Sequence, residues 1–437
     1  MQAFMLAVLI VYTPNQLHFP TSLGIMGVNV FNILMLLAFL TLALRPPEQR
    51  REPPPPVPPM TRVLLCYYGV LAFALAMAWL RGSAHPIEDA VAFKTLVSYS
   101  LLYFLAYYSV RTERQINVLI VLTMLVYLGA AGEAIMQGIE YGLNDFTHEE
   151  RASGPFGIGA GNSNFAGVFY AIFATFCLSI ALLGKGRVPF RWRVLALLAY
   201  VIGCLAIIAT FSRQAMLIVA VTTMLLALRR NPLIALGVIT VMLAYPLWAP
   251  EGVVQRIEMT QQRTLTGQEV LESSAASRYE LWRAGVEITL RNPLGVGLNQ
   301  FQHEVEPLIP KWIEARDAQN MYLRFAAEAG IQGLLVFLAV LYAFFRLGTW
   351  LARVDHPPVA RVYGLAACMA VVAIVLGNIF SSTFAFGEIM ANAWVLFGLL
   401  ARAAVMAAPQ ATSMEVEMDN IRRAYARWQE GPRQAPR

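Results

Sequence analysis

Two arginines stand out in a chain that is otherwise sparing with charge. Arg213 sits in Thr210-Phe211-Ser212-Arg213-Gln214, a short polar break between two apolar runs. Arg278 lies in the stretch Ser273–Gln302, one helical turn before Trp282. A guanidinium is a planar fork that matches phosphate bidentately, so either residue could clamp an anion. The competing readings are a snorkelling interfacial arginine for Arg213 and a solvated ion pair for Arg278. An arginine near a membrane is costly unless it is paired or faces an aqueous cavity. A glycine-rich run, ASGPFGIGAGNSN, begins one residue after Arg151. It follows no strand, so it is not a nucleotide-binding fingerprint. It reads as a flexible approach to a helix, whose first N–H groups could also receive an anion.

The elements that hold these residues are membrane helices. Of 437 residues, 58% are hydrophobic and 14% charged, whereas a soluble chain carries about 25% charged. The apolar residues fall in blocks of roughly 17 to 25, the length that crosses about 30 Å of hydrocarbon. Only helices satisfy their own backbone in blocks of that kind, and the alternating strands of a barrel are missing. Spans are expected near 2–14, 24–44, 62–80, 92–110, 116–136, 163–184, 193–211, 214–228, 233–249, 321–346, 360–379 and 386–405. The fold class is therefore all-α and polytopic, with about 12 transmembrane helices. The first span competes with a cleaved signal peptide, which lacks a basic start and a small-residue cleavage site here.

Twelve spans put both termini on one side. With that side cytoplasmic, 21 of the 33 basic residues fall in the inside loops and the tail, as the positive-inside rule requires. The net charge of +6 then reflects arginines beside anionic lipid and gives no argument for nucleic acid. The organisation reads as nine helices over 1–249, a large outside loop over 250–320, three helices over 321–405 and a cytoplasmic tail over 406–437. Arg45–Pro59 reads as a stiff polyproline linker. In the tail, Met418, Ile421, Tyr425 and Trp428 have the spacing of an amphipathic surface helix. Cys66, Cys177, Cys204 and Cys368 all fall in expected spans, as packing residues rather than a disulfide or metal framework. Within the large loop, Ser273 or Ser274 should cap a helix that Asn292-Pro293 stops, with turns at Gly295 and Gly297.

Four segments carry a resemblance to a known family: RASGPFGIGAGNSNFAG at 151–167, FSRQAMLIV at 211–219, SRYELWRAGVEITLRNPLGVGLNQF at 277–301 and QNMYLRFAAEAGIQG at 319–333. In order and spacing they resemble the O-antigen ligase and O-antigen polymerase superfamily of bacterial membrane enzymes. The resemblance implies a GT-C-like glycosyltransferase with one large periplasmic loop. Its reaction would be metal-independent and inverting, without a cofactor. The donor would be a glycan on undecaprenyl pyrophosphate and the acceptor lipid A–core, with the active site facing the periplasm from the inner membrane. By position Arg213 and Arg278 match the arginines that would neutralise the leaving pyrophosphate. Arg151, Asn164, Asn320 and Tyr322 lie in the matching segments and are the expected substrate contacts.

One position departs from the family pattern. Gln319-Asn320 stands where many members have His-Asn, and glutamine can orient a hydroxyl but not accept its proton. His303, Glu304, Glu306, Asp317 and Glu280 are the alternative bases, His303 competing with a plain surface histidine. The acceptor stays open: lipid A–core for a ligase, another lipid-linked glycan for a Wzy-type polymerase of O-antigen or exopolysaccharide, or protein for an oligosaccharyltransferase. A lipid-linked glycan transporter is the alternative from another class. It would carry ionisable groups in mid-span, whereas Glu133 and Glu388 lie near the ends of their runs.

Overall fold

The computed structural model describes residues 1–20, 23–24, 27–44, 55–144, 146–147, 150–157, 160–258, 261–263, 269–271, 273–314, 317–354 and 357–429. Side chains are described for these except at 160–161, 261–263, 269–271, 273–274 and 409–429. The linker at 45–54, the capping side chains of Ser273 and Ser274 and the apolar face of the tail lie outside the described set.

Helices dominate. The N-terminal part holds α1 (Gln2–Tyr12), α2 (Val30–Ala43), α3 (Thr61–Leu80), α4 (Pro86–Ser109) and α5 (Glu113–Tyr141). Their starts follow local chemistry. Pro86 opens α4, with Glu88 and Asp89 in its first turn, which suits the positive end of the helix dipole. Thr112 and Gln115 close a capping box on α5. Next come α6 (Ala160–Leu183), α7 (Phe190–Ala209), α8 (Arg213–Arg230) and α9 (Pro232–Leu243). Two short helices follow, α10 (Tyr245–Trp248) and α11 (Glu251–Glu258).

The large loop contains a hairpin of β1 (Gln261–Arg263) and β2 (Glu269–Leu271), antiparallel with Gln262 opposite Val270. This is the one departure from an all-helical chain among the described residues. Then come α12 (Ser273–Arg291), α13 (Phe301–Val305), α14 (Met321–Glu328), α15 (Gly330–Leu351), α16 (Pro358–Gly377) and α17 (Gly387–Gln429). Among the described residues, eight helices are long and apolar enough to cross a membrane: α3 to α7, α15, α16 and α17 up to Ala408. Helices α1, α2 and α9 are apolar but shorter. Helix α8 carries arginines at both ends, Arg213 with Arg229 and Arg230.

Three expected boundaries differ. The span expected at 321–346 is two helices, because Gly330 turns the chain with φ +75°. The turning segment 293–297 docks into that break: Val296 N–H donates to Ala327 O at 2.8 Å, Gly297 N–H to Glu328 O at 2.9 Å, and Ile331 N–H to Pro293 O at 3.0 Å. The span expected at 233–249 stops at Leu243, and Pro246 sits in the short helix that follows. The last span and the tail are one continuous helix, so no boundary falls near 405.

One end of the bundle is basic. Arg230 Nη1 donates to Leu182 O at 2.8 Å and Arg193 Nε to Ala181 O at 3.1 Å, covering the last carbonyls of α6. Arg402 Nε donates in the same way to Val110 O, the cap of α4, at 3.0 Å. Cations there satisfy orphan carbonyls and complement the negative ends of the helix dipoles.

Candidate active site

At the other end of α7 and α8, Thr210, Phe211 and Ser212 alone join the two helices. Phe211 is forced to φ +49°, a conformation costly for a bulky side chain. Its neighbours hold it there. Arg151 is buried; its Nε donates to Thr210 O at 2.9 Å and its Nη2 to Asn164 Oδ1 at 2.8 Å. Ala152 N–H donates to Ala209 O at 3.3 Å, and Gln214 Nε2 to Asn164 O at 3.3 Å. The start of α6 reaches this turn through Gly167, where a Cβ would stand 2.9 Å from the Cβ atoms of Ser212 and Ala215. Arg151 and Asn164, expected at the substrate, are thus joined to each other and to the turn that presents Arg213.

Arg213 is the first residue of α8, where N–H groups and the dipole already favour an anion. It is part of the wall of a cavity of about 870 Å³ whose other lining side chains come from α7, α8, α9, α10 and α11. That lining is almost wholly apolar, including Ile207, Met216, Val238 and Trp248. The hydroxyls of Tyr200 and Thr223 share a hydrogen bond of 2.9 Å in its wall. Arg256 adds a cation that sequence reasoning did not single out. It is buried on α11, between the lining residues Val253 and Ile257, and its guanidinium lies 4.5 Å from the centre of the Phe146 ring. Phe146 in turn meets Phe211 edge to face at 5.5 Å. Its only sequence signal is the amphipathic spacing of Val253, Arg256 and Ile257.

The other expected residues form a second group. Gln319 has φ +46°, and its N–H donates to Asp317 Oδ1 at 3.0 Å. Asn320 caps α14 by accepting from Leu323 N–H at 3.1 Å, and Tyr322 donates to Val375 O at 2.9 Å. Helix α12 meets this segment: Trp282 Nε1 donates to Ala318 O at 3.1 Å. Arg278 lies one turn before Trp282, so its helix presents it on that same side. Arg278 is not among the residues lining the Arg213 cavity. His303 is exposed and stacks on His85 with ring centres 5.7 Å apart. It stands over the α3–α4 connection, apart from both groups.

Behind Gln319 lies a chain of ion pairs whose inner end, Glu328, is buried while Arg324 and Asp317 are half-buried. Arg324 Nε donates to Glu328 Oε1 at 3.2 Å, and its Nη1 lies 3.9 Å from Asp317 Oδ2. Glu328 sits in α14, outside the span-length helices. Burial raises its carboxyl from the ordinary range, while Arg324 and the Asn299 N–H pull it down.

Residues 198–338 match a family model described as O-antigen ligase. Over that segment the chain is similar to the O-antigen ligase and polymerase superfamily. The matched segment runs from α7 into α15 and contains Arg213, Arg278, His303, Gln319, Asn320 and Tyr322. Arg151 and Asn164 lie before it. A comparison with curated proteins finds no match. Three non-glycine residues have positive φ among those described, Phe211, Asn299 and Gln319. All three fall inside the O-antigen ligase segment, at the turns that present its polar residues.

Proposed function

We propose that the chain is a glycosyltransferase that moves a glycan from undecaprenyl pyrophosphate onto lipid A–core at the periplasmic face of the inner membrane. The observation that carries this reading is the pairing of Arg213, at the positive start of α8, with a large apolar cavity between α7, α8 and α9. A cation at the head of an apolar cleft fits a diphosphate joined to a polyprenyl chain. A sugar nucleotide, polar from end to end, would leave that lining unused.

In this reading Arg213 neutralises charge as it builds on the diphosphate, and α12 brings Arg278 to the same task. Arg151 and Asn164 hold the turn under Arg213. Gln319, Asn320 and Tyr322 line the acceptor side, where Gln319 orients the attacking hydroxyl without taking its proton. The hydroxyl attacks the anomeric carbon opposite the diphosphate, whose oxygen leaves with the bonding electrons, so configuration inverts. The arginines at the far ends of α4, α6 and α8 support a cytoplasmic position for that end.

The test mixes purified protein with undecaprenyl-pyrophosphate glycan and separate acceptors. Glycan on lipid A–core is the expected product. Longer lipid-linked glycan would instead make the protein a polymerase, and glycan on protein an oligosaccharyltransferase. Movement of the lipid-linked glycan across liposomes with no new glycosidic bond would overturn the enzyme reading.

A further inference from the structure

The connection between α3 and α4 holds a carboxyl group that neither the motifs nor the proposed chemistry uses. Asp89 is fully buried in the first turn of α4. Its Oδ1 accepts from Gln300 Nε2 at 2.9 Å and from Asn299 Nδ2 at 3.3 Å. Its Oδ2 has no hydrogen-bond partner among the described residues. Burying a carboxyl with half its acceptors unmet is costly, and an apolar residue would avoid the cost. Asn299 connects it to the ion chain. Its backbone is left-handed at φ +65°, its side chain donates to Asp89, and its N–H faces the Glu328 carboxylate. From Glu328 the contacts continue through Arg324 to Asp317 and end on the N–H of Gln319.

We propose that Asp89 is a positioning residue for the transfer step, acting through Asn299 on the Glu328–Arg324–Asp317 chain that fixes the backbone at Gln319. The proposal rests on the glycosyl-transfer reading, in which Gln319 orients the acceptor hydroxyl. Two carboxyl groups, Glu328 and Asp317, share the Arg324 guanidinium, so a change at one end redistributes the contacts of the rest. The weakest link is the 3.9 Å contact between Arg324 and Asp317. When Asp89 releases the Asn299 amide, the left-handed turn relaxes and Glu328 loses a donor. Arg324 then closes on Glu328 and leaves Asp317, and Gln319 loses the acceptor that holds its strained backbone.

The experiment uses the full chain in lipid nanodiscs with undecaprenyl-pyrophosphate glycan and the acceptor found active. It measures kcat and donor KM for wild type, Asp89→Leu, Asp317→Ala and the double variant, each of which removes the accepting oxygen that an asparagine would keep. Each single change is expected to lower kcat about tenfold with donor KM within about twofold, and the double to be no slower than the slower single. Losses that multiply to about a hundredfold, a change in KM alone, or wild-type kcat in Asp89→Leu would overturn the relay. Asn299→Gly keeps the left-handed backbone and deletes only the bridging amide, so it answers the question even if Asp89→Leu fails to fold; wild-type kcat there also overturns the relay. Ser83→Ala, which removes the Ser83 hydroxyl that accepts from Gln300 Nε2 at 3.2 Å, is expected to keep the wild-type rate. A slow Ser83→Ala would show that any disturbance of this loop slows the enzyme and would overturn the relay. A wild type that forms no glycosidic bond sinks the transfer reading and this role together. An active wild type with unaffected variants sinks this role alone.

Discussion

Arg213 is held from behind by more contacts than an interfacial arginine needs. The turn beneath it is fixed by Arg151, by Gly167 and by the Phe146–Phe211 contact, with Phe211 in a strained conformation. That expenditure makes sense if the guanidinium must meet a diphosphate in one orientation. Removing one such preorganised donor usually costs about a hundredfold or more in kcat. Arg213→Ala should therefore lower turnover at least about tenfold while the protein keeps its elution profile and melting temperature. Arg213→Lys should fall between, since lysine restores the charge without the bidentate fork. Wild-type kcat in both would remove the clamp. Arg213 was legible because its charge is out of place between two apolar runs, and Arg278 because its segment resembles the family's. Asp89 and Arg256 were not. Each is one polar residue in an ordinary amphipathic pattern, and what distinguishes it is a partner far away in sequence, Asn299 for one and Phe146 for the other.

Helices were legible as elements wherever length and caps agreed. The helix in the large loop ends at Arg291, where Asn292-Pro293 stops it. The break in the span expected at 321–346 was hidden, because nothing local forces it. It needs Gly295 and Gly330 to bring two backbones together from segments more than thirty residues apart. At Gly295, with φ +94°, a Cβ would stand 2.5 Å from Glu328 O and 2.6 Å from Gly330 N. Backbone cannot yield as a side chain can. Gly295→Ala should therefore destabilise the protein by about 2–3 kcal/mol, combining the clash with the left-handed strain. Thermal unfolding in detergent measures this. Gly69→Ala on α3, where a Cβ meets nothing within 4 Å, serves as the neutral partner. Equal melting temperatures for the two variants would mean that the 293–297 segment does not dock as tightly as its hydrogen bonds indicate.

For the whole molecule, α7 fixes a distance that sequence could only suggest. Its 20 residues rise about 30 Å, the thickness of the hydrocarbon core. Its N-terminal end adjoins the arginines that cover the carbonyls of α6, and its C-terminal end leads directly into Arg213. If α7 crosses the bilayer, Arg187 and Arg213 are on opposite sides, and the excess of cations predicts a cytoplasmic position for the Arg187 side. Single cysteines in a background without Cys66, Cys177, Cys204 and Cys368 test this directly. Positions 187 and 302 are both exposed, at the basic end and on the large loop. A membrane-impermeant maleimide applied to spheroplasts should label position 302 at once and position 187 only after lysis. Both sites labelling before lysis would place the loop and the basic end on one side. The reverse order would turn the protein over, putting the Arg213 cavity on the cytoplasmic side.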